Sequence, residues 1–195
     1  HVPESPAREP EISPEWQQFL GEQFKWENDF AAAETPGEAL RLLREFLDEA
    51  KARTERQPSD FQRIIALCDG LAARWPDSRE SVESRRLIHD CYTALGESEK
   101  AREAFLAYAQ AMGERRRKQT LRGGSDEKAA QHAAKELAAS VVHEQGCSLF
   151  RDKDYLEASY YFETVCRTHP NAAKSEWARY MLGRVYGALS RPSMY

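Results

Sequence analysis

The sequence predicts an all-α fold in which antiparallel helix pairs stack side by side. Three observations carry this reading. Helix breakers recur at one interval: Pro76 stands 13 residues before His89, and Pro170 stands 13 before Gly183. A small residue is followed four positions later by an aromatic one at Ala101-x3-Phe105, and again at Ala158-x3-Phe162. Between the breakers the apolar residues keep helical spacing, so each segment carries one stripe that a neighbour has to cover.

In the later copy Gly146-x2-Leu149 precedes Ala158-x3-Phe162 and Pro170, and Leu182-Gly183-x2-Tyr186 opens a further unit. In the earlier copy Pro76 precedes Tyr92 and then Ala101-x3-Phe105, in the same order. These residues resemble the tetratricopeptide repeat (TPR), a helix pair of about 34 residues that carries W-x2-L-G-x2-Y, then A-x3-F, then P. The resemblance implies a TPR-like right-handed superhelix of antiparallel helix pairs, here with an N-terminal extra helix. It implies a protein–protein interaction scaffold, not an enzyme, and no cofactor. It covers about residues 36–189 and is strongest over 82–112 and 139–189.

The elements follow in chain order. Residues 1–13 hold three prolines and almost no apolar content, which predicts an extended leader. Ser13 and Pro14 then start an aromatic helix over 14–34, with Trp16, Phe19, Leu20 and Phe24 as a lid on the first repeat. Thr35-Pro36-Gly37-Glu38 is a capping box and opens the first repeat, about 36–77. Its second helix is expected from Ser59-x2-Gln62, with Ile64, Ile65, Cys68 and Leu71 inward.

Asp77-x2-Glu80 is expected to open the second repeat, about 78–114, and Gly96 to end its leading helix. His89 stands there where the repeat usually has glycine, which predicts a wider helix spacing. From Ala101 to Ala158 is 57 residues, about 23 more than one repeat allows. The excess, about 115–138, is expected to lengthen two helices into a protruding hairpin that turns at Gly123-Gly124.

The third repeat, about 139–172, has Asp154-x2-Glu157 at the start of its trailing helix. There Gly146 is expected to face Ala158, with Leu149 and Phe162 filling the space beside them. The stretch HPNAAKSEWARYMLG resembles the variant in BamD-like outer-membrane assembly lipoproteins and YbgF-like periplasmic proteins. A partial fourth repeat, 174–189, ends without its trailing helix, as in a fragment or a terminal cap.

Composition bounds the function. With 28 Lys and Arg against 32 Asp and Glu, the net charge of −4 disfavours nucleic acid as a partner. No run is long and apolar enough for a membrane span, and the first residue is His, so an upstream segment is expected to have been removed or replaced. Cys68, Cys91, Cys147 and Cys166 are spaced too widely for a zinc ribbon and read as free thiols, although Cys68 and Cys91 on neighbouring helices leave a disulfide open. Phosphate-cradling glycine loops and nucleophile elbows are missing, and His143 and Cys147, four apart on one helix, supply only two ligands.

The resemblance implies that partner contacts come from the inward side of the leading helices. Those positions are Glu83, Arg86 and Asp90, then His143, Cys147, Phe150 and Arg151, then Trp177, Tyr180 and Arg184. Trp177, Tyr180 and Arg184 are the types that anchor interfaces. The partner is expected to be another protein or a peptide segment. Arg115, Arg116, Arg117, Lys118 and Arg122 form a basic cluster on the inserted hairpin, read either as charges complementing a helix C-terminus or as an electrostatic contact for an acidic partner, membrane headgroups or RNA. The resemblance places the chain in the bacterial cell envelope, tethered on the periplasmic side, with the cytoplasm as the alternative. A permanent structural subunit that uses its ends and outer face is the competing function.

Overall fold

The computed structural model describes residues 21, 24–55 and 57–190, and among these the structure is helical, without strands. Eight helices follow one another among the described residues: α1 (Lys25–Ala32), α2 (Pro36–Ala52), α3 (Pro58–Arg74), α4 (Arg79–Leu95), α5 (Ser98–Arg122), α6 (Glu127–Arg151), α7 (Tyr155–Thr168) and α8 (Ala173–Leu189). Two to five residues connect each to the next, which folds every helix back along its predecessor. Packing runs in chain order, with next-but-one contacts between α2 and α4 and between α6 and α8.

Local chemistry accounts for most helix ends. Thr35 Oγ1 accepts from the Glu38 N–H at 3.2 Å, and Glu38 reaches back to the Glu34 N–H at 3.1 Å. Asp154 accepts from the Glu157 N–H at 3.3 Å, and Asp126 from the Ala129 N–H at 2.8 Å. Gly96 ends α4 at φ 74°, a left-handed conformation that glycine adopts without strain.

Two expected starts shift. Helix α3 begins at Pro58, where the missing N–H costs nothing, so the Ser59 box is not used. Helix α4 is capped by Ser78, which accepts from the Ser81 N–H at 3.0 Å, and Asp77 instead receives Lys118 Nζ at 2.9 Å. Helix α8 lacks a side-chain cap from its own N-cap residue. The Ala173 N–H donates to the Glu136 carboxylate of α6 at 3.2 Å, so a residue 37 positions away closes that helix end.

The buried apolar residues form two clusters. The first joins α1 to α4 around Leu43, Phe61, Ile64, Cys68, Leu71 and Cys91. The second joins α5 to α8 around Phe105, Ala158, Tyr161, Phe162, Val165 and Val185. His89 joins α4 to α5: its Nδ1 lies 2.9 Å from the Ala101 carbonyl and its ring meets Phe105 edge-on at 5.1 Å. The histidine that stands in the expected glycine position thus fills the space between the two helices with a hydrogen-bonded ring. Cys68 and Cys91 are free and fully buried, and burial drives both thiols far above their ordinary pKa, Cys91 to about 12.

The expected lid is described only in part. Trp16, Phe19 and Leu20 lie outside the described residues, and Phe24 is exposed. Trp26 and Phe30 of α1 enter the core. Trp26 stacks on Phe46 at 5.2 Å with the guanidinium groups of Arg53 and Arg63 beside its ring. Arg63 forms a two-pronged pair with Glu27, both bonds 2.6 Å, which holds the Glu27 carboxyl below its ordinary pKa.

Small residues set the closest approaches. A Cβ on Gly113 would lie 2.8 Å from the Ala134 carbonyl oxygen, so the two 25-residue helices α5 and α6 touch backbone to backbone. A Cβ on Gly146 would lie 2.8 Å from the Phe162 ring. The Phe162 ring, expected beside Gly146, thus packs directly on it. The hairpin of α5 and α6 does not stand free either, since Lys118 ties it to Asp77 on one side and Glu136 to α8 on the other.

Phe162 is fully buried, so its ring has nowhere to retreat. Gly146→Ala should cost about 1–3 kcal/mol through overpacking, and Phe162→Ala about 3–5 kcal/mol through the cavity left behind. Urea unfolding checks both. The double variant should lose less than the two losses added, because the methyl introduced at position 146 then occupies space that the Phe162 ring has left.

Candidate functional site

Two adjoining clefts run across the face made by α2, α4, α6 and α8, with one wall from α5. The first is lined by Arg44 of α2, by Arg79, Glu83, Arg86, Leu87 and Asp90 of α4, and by Tyr108, Met112 and Arg115 of α5. The second is lined by Met112, Arg115, Arg116 and Gln119 of α5, by Ala133, Glu136, Leu137 and Ser140 of α6, and by Ala173 and Lys174 of α8. Met112 and Arg115 belong to both. Helices α3 and α7 contribute nothing to either lining.

The expected residues Glu83, Arg86 and Asp90 line this surface; Arg44, Tyr108, Met112, Glu136 and Lys174 were not foreseen. The length of the insertion was the available signal. Helix α5 has 25 residues where α4 has 17, and a helix of the shorter length would end at Glu114. Arg115, Arg116 and Gln119 lie in the part beyond it, which has to run beside its neighbours.

Charge in the clefts is uneven. Six cations face three carboxylates. Glu83 is already held by Arg44 at 2.7 Å and by Arg79, and Glu136 accepts the Ala173 N–H. Arg86, Arg115 and Arg116 make no ion pair among the described residues. The rest of the basic cluster is divided. Arg117 bonds Glu114 at 2.6 Å and Glu127 at 2.7 Å, and Lys118 bonds Asp77, so these two brace the hairpin. Arg122 lines neither cleft.

Beyond the second cleft the same side of α8 carries Trp177, Tyr180 and Arg184 about one turn apart. Trp177 is 61% exposed and Tyr180 59% exposed, and their rings meet edge-on at 6.2 Å. The Arg184 guanidinium sits 5.0 Å from the Phe150 ring, which also contacts Tyr155. Arg151 is exposed at the end of α6. His143 departs from the expectation: it is buried, its ring 5.6 Å from Phe162, and it belongs to the core instead of the open surface. The Cys147 sulfur lies 3.7 Å from His143 Nδ1. Burial raises the Cys147 thiol above its ordinary pKa, which keeps it protonated and a poor nucleophile.

No group of three or more metal-ligating side chains occurs among the described residues. No described helix is long and apolar enough to cross a membrane. Compared with protein-family models, with curated proteins and with solved structures, the chain gives no match.

Desolvation holds the buried His143 and the half-buried His169 below the ordinary histidine pKa, with the Lys174 and Lys135 cations adding to the effect. Below about pH 6.5 the unfolded chain takes up protons that these rings refuse in the fold, so stability is full above that value and falls as pH drops through the lowered pKa values. Urea unfolding at about pH 7.5 and 5.5 should show this loss, and a His143→Asn, His169→Asn variant should show a smaller one.

Proposed function

We propose that this chain is a scaffold of the TPR type that binds another protein along the face formed by α2, α4, α6 and α8. The observation that carries the reading is the origin of the cleft lining: alternate helices supply most of it, as stacked helix pairs require when one helix of each pair lies inside a curve. The repeated small-to-aromatic lock supports it. Phe105 meets His89 in one unit, Phe162 meets Gly146 in the next, and both stand four residues after a buried alanine. A right-handed superhelical path and a place in the bacterial envelope belong to the same proposal and rest on the sequence resemblance.

Trp177, Tyr180 and Arg184 are its proposed anchors, because exposed aromatic rings beside an arginine gain most from leaving water. A second reading has its own support. Tyr186 and Leu189 are also exposed, on sides of α8 away from that stripe, as expected of a subunit held permanently by its end.

A Trp177→Ala, Tyr180→Ala, Arg184→Ala variant should keep the helical content and melting temperature of the parent and lose capture of its partner by about a hundredfold or more in affinity. Tyr186→Ala with Leu189→Ser should leave capture unchanged if the alternate-helix face is used. The reverse pattern would assign the function to the end of the array.

A further inference from the structure

We infer that the two adjoining clefts take an acidic polypeptide segment with apolar residues interleaved among its carboxylates, an inference that rests on the scaffold reading and names the partner's chemistry. The chain as a whole carries −4, yet this face carries an excess of cations. Ion pairs within the chain do not balance it among the described residues. Glu83 is occupied by two arginines and Glu136 by the end of α8, while Asp90 and the cations Arg86, Arg115 and Arg116 form no ion pair among the described residues, so open cations outnumber open carboxylates.

An unpaired cation near others raises the energy of the free surface, and a bound carboxylate relieves it. Arginine suits that task, since its planar fork donates two parallel bonds to a carboxylate. Arg86 belongs to α4, and Arg115 and Arg116 to the extension of α5, so the three cations lie on two helices and call for several separated carboxylates. Between and beside them the partly exposed Tyr108, Met112 and Leu137 offer apolar contact. The occupant must therefore alternate.

Nucleic acid fits less well. A phosphodiester chain is uniformly anionic, and along this surface it would run past Glu83, Asp90 and Glu136. Tyr108 is the one aromatic residue in the two linings, so bases would find no row of rings on which to stack.

The test is selection of a random-peptide display library on the immobilised full chain, followed by anisotropy titration of the selected peptides. Enrichment of Asp and Glu interleaved with apolar residues is expected. Arg86→Glu, Arg115→Glu and Arg116→Glu should each weaken those peptides about tenfold or more, while Arg122→Glu, an identical charge change outside the clefts, should leave affinity within about twofold. Equal loss in Arg122→Glu, or displacement of the peptides by an oligouridylate, overturns the inference. Selected peptides without acidic enrichment that still lose binding in the Trp177, Tyr180, Arg184 triple variant overturn the acidic preference and leave the scaffold reading standing. A library that yields no binder overturns both.

Discussion

Neighbouring helices in this chain hide each other's apolar stripes, and how closely they do so is set by residues with little or no side chain. Gly113 brings α5 against the backbone of α6, and Gly146 admits the ring of Phe162. Each contact removes a gap that would otherwise forfeit dispersion energy along a whole seam. These two contacts bring α6 close to α5 on one side and to α7 on the other. Where histidine takes the expected glycine position at His89, its ring makes a hydrogen-bonded joint between α4 and α5.

Length is the second constraint. Helices α5 and α6 are each 25 residues, against 17 for α2, α3, α4 and α8. A shorter α5 would end at Glu114 and leave the second cleft without most of one wall. The residues beyond that point contribute Arg115, Arg116 and Gln119, so the insertion forms part of the candidate site. Two other cations of the same stretch, Arg117 and Lys118, hold that wall in place through Glu114, Glu127 and Asp77.

The cleft and the α8 stripe are two different surfaces in chemical terms. The cleft is cationic with scattered apolar contacts, whereas Trp177 and Tyr180 present large exposed rings with one guanidinium beside them. A segment that used both would meet charge first and then aromatic burial. Such a division would let electrostatics govern encounter and ring burial govern residence.

Local features were legible in the sequence. Thr35, Asp154 and Gly96 announced helix ends because each acts on backbone groups within three or four residues, and the spacing of Ala158 and Phe162 announced a core stripe because helical periodicity is a property of the chain alone. Features that join residues far apart in the chain emerged only once the helices were packed. Glu136 closing α8, Trp26 seated against Phe46, His143 drawn into the core and the division of the basic cluster all depend on which helix faces which. Periodicity tells a residue's side of its own helix, but the rotation and crossing of neighbouring helices decide what stands opposite, and that depends on contacts such as Gly113 on Ala134 that no local pattern marks.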